Sequence, residues 1–338
     1  MKHAWIFCWL LFSLNGAAQV GGNSSFSGLS ASAGGQVAGL GGSAYAHPSG
    51  VNGSCINPAL LDLSESGEIA MTYWSIPTAL KRGNFTLGTG EWLKDRPGWK
   101  FGVAVDYWNT GTLTMRDAAG YEIGEFEASE MTPRVTASYG SGPWSFGSSV
   151  KWSQLIYAGY TAQALAADFG VIYTADSGRL QVAMVLRNLG YGIEAFDETF
   201  EPVPTEWSVS VSQRLHHAPF RVNLTYKYLA TPNLTYYDPL QIIRDPLTGA
   251  IGYDDFSLLN QAVRHFHPSL EAYLGRRLRL QLGFDFQQQW ENRIPDWRTN
   301  AGLSYGLTLN AGRMQFQYAY QVVHLAGRIN QMSLIRKI

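Results

Sequence analysis

Ser148-Ser149-Val150-Lys151 has the S-x-x-K spacing in which a lysine one helical turn away activates a serine nucleophile. The residues around it alternate between apolar and polar, which reads as a strand, and side chains three apart on a strand leave on opposite faces. The pair therefore cannot meet, and no S-D-N or K-T-G companion occurs. His265 and His267, two apart, would share one face of a strand, with His216 and His217 elsewhere. A metal site needs more ligands than two, and neither H-E-x-x-H nor a Cys cluster completes one. No ordered set of acid, base and nucleophile is present, so the sequence predicts no enzyme, such as a surface phospholipase or protease, and no metal or cofactor.

The elements that would carry these side chains follow from composition and period. The 338 residues are 46% hydrophobic and 15% charged, and 25 Lys and Arg against 26 Asp and Glu give a net charge of -1, which argues against nucleic acid as a partner. Gly 36, Tyr 18, Phe 16 and Trp 11 suit a β-protein. The one long apolar stretch of note, 4–14, falls short of the ~20 residues a membrane-spanning helix needs. Lys2 and His3 before it and Gly16-Ala17-Ala18 after it have the form of a secretory signal peptide, 1–18, cut after Ala18. Cys55 is then the only cysteine of the exported chain, and no intrachain disulfide can form. Residues 19–66 are rich in Gly, Ser and Ala and cannot bury much of a core alone.

From 67 onward the period is two. Trp99, Phe101, Val103, Val105 and Tyr107 fall on one side of a strand and Lys100, Gly102, Ala104 and Asp106 on the other; Val222 and Asn223 divide in the same way. A soluble sandwich would alternate too. Strand length argues for a membrane barrel, since many segments reach ten residues or more where ordinary strands average about 5 to 6. Trp99 and Tyr107, eight steps apart, would stand roughly 20 Å apart along the membrane normal, close to the spacing of aromatic girdles. Strands are expected near 67–75, 83–90, 99–108, 131–140, 143–154, 162–174, 178–187, 205–215, 219–229, 266–275, 278–287, 298–309, 313–323 and 328–336, which makes fourteen. Tight turns at 141–142, 175–177, 216–218, 276–277 and 310–312 lie on one side, and long connections at 109–130, 188–204, 230–265 and 288–297 on the other. Short periplasmic turns and long external loops are the mark of an outer-membrane barrel, and 91–98 is the one connection too long for its side. The fold expected is all-β: a transmembrane antiparallel barrel over 67–338.

Arg179, Arg221, Lys227 and Arg279 then read as lumenal. They could hold an anion, but partnership with Asp106, Asp285 or backbone carbonyls in a wet lumen is the plainer expectation. A lumen full of water would also accept Arg in place of Asn223.

Ser32-Ala33, Ala38-Gly39-Leu40-Gly41-Gly42 and Asn57-Pro58-Ala59-Leu60-Leu61 resemble the N-terminal signature of the PorQ/PorV outer-membrane proteins of the type IX secretion system. Arg116-Asp117-Ala118-Ala119-Gly120, Gly124-Glu125-Phe126 and Ala128-Ser129-Glu130 are similar to the hairpin of that family, with Arg where Thr is usual. The stretch 256–265 with the strand after it, and Val323-His324-Leu325-Ala326-Gly327, are closer to the PorQ branch, so the resemblance runs over about 26–336. Gly34 departs from the usual Arg, and the chain ends Lys337-Ile338 rather than on an aromatic.

The resemblance implies a FadL-like barrel whose lumen is plugged by 19–66, with Asn57, Pro58 and Ala59 as the plug motif. It further implies the outer membrane of a diderm, Bacteroidota-like bacterium and a noncatalytic anchor that holds the surface protein PorZ and works with PorU and PorV in cargo attachment. The alternative is a FadL-like transporter of hydrophobic small molecules. Asp254 to Phe266 carries apolar residues at mainly helical spacing, which predicts an amphipathic helix in the longest loop. Its candidate docking residues are Phe256, Leu259, Val263 and Phe266.

Overall fold

The computed structural model describes residues 24–30, 32–64, 67–76, 80–89, 98–196, 200, 202–234, 243–244, 251–252, 258–292, 299–324 and 327–338. The expected signal peptide and Phe256 lie outside these residues. Fourteen strands close into one antiparallel barrel. They begin with β1 (Glu68–Ser75), β2 (Lys81–Gly88) and β3 (Trp99–Asn109); a small separate hairpin, β4 (Leu113–Arg116) and β5 (Glu122–Phe126), then interrupts the wall. The wall resumes with β6 (Ala128–Ser141), β7 (Trp144–Tyr157), β8 (Tyr160–Ala175), β9 (Leu180–Glu194), β10 (Glu206–Arg214) and β11 (Phe220–Tyr226). Two short pieces, β12 (Ile243–Arg244) and β13 (Ile251–Gly252), pair within the longest loop. The circuit ends with β14 (Phe266–Leu274), β15 (Leu278–Phe284), β16 (Leu303–Ala311), β17 (Met314–His324) and β18 (Gly327–Lys337), which pairs with β1.

All fourteen expected wall strands are present, and their faces are inverted relative to a water-soluble protein. Trp99, Phe101, Val103, Val105 and Tyr107 are exposed while Ala104 and Asp106 are buried, and on β11 Val222 points out and Asn223 in. Closure pairs the backbone groups across the ladder, and an apolar exterior is stable where the surrounding solvent is lipid. At the tight-turn end Trp99 packs on Tyr139 with ring centroids 5.1 Å apart, and Trp144 on Tyr173 at 4.8 Å, as one side of an aromatic girdle.

Several boundaries differ from the alternation pattern, each for a local reason. β7 and β8 run on into a two-residue turn at Ala158 and Gly159, both at positive φ, so this outer connection is tight rather than loop-like. β15 ends at Phe284 because the Asp285 carboxylate accepts from the Gln288 N–H at 2.9 Å and starts a short helix, Phe286–Glu291. β11 ends at Tyr226, two residues before Tyr228 at φ 58.

Residues 24–30 and 32–64 lie inside the barrel. They form 3-10 turns at Ser27–Ser30, Gly50–Cys55 and Pro58–Leu61 and one short helix, α1 (Gly35–Gly39). Val37, Tyr45, Ile56, Ala59 and Leu60 pack with the inward Ile172, Ala183 and Val185 of β8 and β9, and Phe26 and Leu29 pack with Leu155, Ala162, Ala164 and Ala166. Each Leu or Ile so buried contributes about 1.5–3 kcal/mol. The segment that is too poor in apolar residues to fold alone uses the barrel wall as the other half of its core.

Candidate functional site

The lumenal face is built from polar and charged residues at alternate wall positions, and four wall carboxylates and the Lys151 ammonium hold the inner segment. Glu130 of β6 accepts from the Gly28 N–H at 2.9 Å, the Ser27 hydroxyl at 3.0 Å and the Trp108 indole at 2.6 Å. Asp168 of β8 pairs with Lys151 of β7 at 2.7 Å, and the same ammonium donates to the Leu29 carbonyl at 3.0 Å and to Asn188. Glu206 of β10 accepts from the Tyr45 hydroxyl at 2.6 Å and faces Arg187 at 3.6 Å and Lys227 at 3.7 Å. Glu271 of β14 accepts from Gln36 at 2.8 Å and sits 3.0 Å from His47 Nε2. Glu68 of β1 accepts from the Val51 N–H at 2.8 Å.

These contacts fix position more than they add stability. A buried pair gains little over apolar packing, but removing one partner leaves a charge without compensation. Burial raises the Tyr45 phenol, helped by Glu206, so it stays a donor. Burial also holds the His47 imidazole below its usual 6.5, outweighing the attraction of Glu271.

The inner backbone also comes very close to the wall, and glycine makes the room. A Cβ at Gly147 would collide with Pro58 and Ala59 backbone, one at Gly170 with the Asn57 amide, and one at Gly283 with Leu40 and Gly41 backbone.

Asn57, Pro58 and Ala59 lie together at this approach. Asn57 caps the Pro58–Leu61 turn by accepting from the Ala59 N–H at 3.0 Å and donates to the Tyr45 carbonyl at 2.8 Å. Its hydrogen bonds are thus within the inner segment and not to the strands. The serine and lysine of the S-x-x-K pattern do diverge, Ser148 exposed and Lys151 buried at 0%.

Arg179 is not lumenal. It lies in the β8–β9 turn, half-buried and paired with Asp176 at 2.7 Å, because β9 begins one residue later at Leu180. Arg221 and Arg279 are lumenal and Lys227 is interior, but the lumenal carboxylates nearest Lys227 and Arg279 are Glu206 and Glu271; Asp106 pairs with Arg82 instead. Asp285 caps its helix beside His267 at 3.4 Å. His265 hydrogen-bonds to the Lys227 carbonyl at 2.7 Å, and among the described residues no group of three or more His, Cys, Asp or Glu could hold a metal.

The expected loop helix is α2 (Leu258–Arg264), shorter than its pattern. Leu259 is exposed, Val263 is half-buried, and Phe266 belongs to β14, where it meets Tyr226 edge-on at 5.1 Å rather than joining the helix face. Arg264 lies over Trp290 of the Phe286–Glu291 helix at 5.7 Å, which seats α2 on the rim.

The carboxylates Glu206, Glu271 and Asp168 were missed as a group by sequence reading. Asp168 and Glu271 are each a lone acid at an inward position between apolar neighbours, which is the signal that singles them out; Glu206, between Thr205 and Trp207, carries only half of it.

Over 90% of its length the chain matches the solved structures of the toluene transporters TbuX of Ralstonia pickettii, at 11% identity and a TM-score of 0.55, and TodX of P. putida, at 10% and 0.55, with 98% of each covered. A Pseudomonas aeruginosa FadL homologue matches over 90% of this chain and 98% of its own, at 9% identity and a TM-score of 0.49. No family profile and no curated protein matches. The fold is therefore the one these two toluene transporters share: a closed, fourteen-stranded antiparallel β-barrel.

Proposed function

We propose that this protein is a noncatalytic FadL-like barrel that admits hydrophobic small molecules across the outer membrane. The observation that supports this reading is architectural: the two toluene transporters share its fold over nine-tenths of the chain. In this reading 24–64 is the plug that keeps the lumen closed to water. Deletion of the gene should abolish uptake of a radiolabelled hydrophobic nutrient and leave a control sugar unaffected. Unchanged uptake of hydrophobic compounds across a panel of aromatics and fatty acids would refute it.

A second reading, a type IX secretion scaffold holding a PorZ-like surface protein with PorU and PorV, is favoured by a different observation. Beyond the rim, the β4–β5 hairpin exposes Tyr121 at 72% and Ile123 at 59%, and α2 exposes Leu258 at 84% and Leu259 at 74%. Exposed apolar side chains on projecting elements suit protein contact. The N-terminal and hairpin motifs that resemble the PorQ/PorV family point the same way. Replacing 112–127 with a short Gly-Ser turn should leave the barrel inserted but release the surface partner and impair cargo attachment. Full retention of both, with uptake lost on gene deletion, leaves the transporter reading standing alone.

A further inference from the structure

Five cations gather at the tight-turn mouth of the barrel, on the periplasmic side. Arg214 of β10, Arg279 of β15 and Lys337 of β18 occupy inward positions near the strand ends, and Arg276 and Arg313 sit in the β14–β15 and β16–β17 turns. Together they line one cavity of about 470 Å³. The single acid in that lining is Glu68, and its carboxylate is already turned to the Val51 N–H at 2.8 Å.

The cations are short of counter-charge. Among the described residues no carboxylate pairs with Arg214, Arg276, Arg313 or Lys337. Arg279 reaches Glu271 only at 3.8 Å, and its buried Nε has no partner. The Arg214 guanidinium is stacked 4.5 Å over the Tyr273 ring, which leaves its N–H edge free to donate. Five positive groups around one concavity repel one another unless an anion lies between them. Guanidinium forks match the oxygens of phosphate two at a time. The volume is in the range of small-molecule sites.

We propose that this vestibule binds a multiply charged phosphate-bearing anion, either a free organic or inorganic phosphate or the headgroup of a phospholipid. The site is independent of which reading of the barrel holds.

Pyrophosphate titrated calorimetrically into the full-length protein in neutral detergent at low salt is the direct probe. Saturable binding is expected, weakened at least about tenfold by Arg276→Glu with Arg313→Glu, because two of five converging charges are reversed. Arg277→Glu, exposed in the same turn but outside the cavity, should change it by less than about twofold, since screened surface charges act weakly. All three positions are exposed, and a retained heat-dependent gel shift verifies that the variants are folded. Absence of saturable binding to the unaltered protein, or an equal loss in the Arg277 variant, overturns the proposal. The source is read in nanodiscs of phosphatidylcholine with and without phosphatidylglycerol. Competition by phosphatidylglycerol assigns the site to a lipid headgroup, and unchanged pyrophosphate binding assigns it to a free phosphate.

Discussion

Replacing Lys151 with Met should destabilise the protein more than any surface change and should do so through the inner segment. Lys151 is fully buried, pairs with Asp168 at 2.7 Å and donates to the Leu29 carbonyl at 3.0 Å. Met fills the aliphatic volume but removes the charge. Asp168, also buried, keeps the Asn188 N–H at 2.8 Å and the Ser149 hydroxyl at 3.2 Å, so its loss is partial. Breaking a buried pair costs about 3–5 kcal/mol, and the two remaining donors place this case near the lower end. Because neither partner reaches water, no solvent screening reduces that figure. The double variant Lys151→Met with Asp168→Asn removes both charges and should recover most of the loss. Urea unfolding in detergent micelles, followed by the gel shift between boiled and unboiled samples, measures both. A Lys151→Met cost under about 1 kcal/mol, or a double variant no better than the single, would refute the account of the pair as a buried tether.

Other substitutions separate the faces and the inner segment. Val222→Arg, facing lipid, should cost about 2–4 kcal/mol if it lies near the midplane, read by the same unfolding assay. Asn223→Arg should also be costly, against the expectation of a water-filled lumen, because Asn223 is 1% exposed and donates to Ser269. Gly147→Val should push the Asn57-Pro58-Ala59 backbone off the wall, so limited proteolysis should cut within 24–64 while the barrel keeps its gel shift; Gly124→Val in the β4–β5 hairpin, where a Cβ meets nothing within 4 Å and the backbone is not left-handed, controls for the substitution itself. His47 is held neutral by burial below its ordinary 6.5, with Arg221 and Arg279 adding to the shift and Glu271 opposing it. A released His47 takes up a proton that the docked one refuses, so docking is full above about pH 6.5 and weakens as pH falls toward the depressed value. Hydrogen exchange of 24–64 between pH 7.5 and 5 should show this, and His47→Gln should flatten it.

The wall was legible in the sequence because its cause is local. Lipid outside and polar groups inside impose a period of two on every strand, so Trp99 to Tyr107 and the fourteen segments declare their faces without knowing their neighbours. Turn residues at positive φ, such as Gly142 and Gly312, mark the tight ends for the same reason. Parity assigns a side but not a partner. It placed Arg221 and Arg279 inside correctly and could not say that Glu271 lies beside Arg279, or that Tyr45 reaches Glu206 across 161 positions of chain. Only the closed barrel brings these residues together. Gly147, Gly170 and Gly283 look like ordinary weak points in strands until the inner backbone is seen against them. The inner segment itself, read from composition alone, has the character of a flexible tail. Its fold depends on apolar surface supplied by β7, β8 and β9, and a core shared between distant parts of a chain leaves no periodic trace in either part.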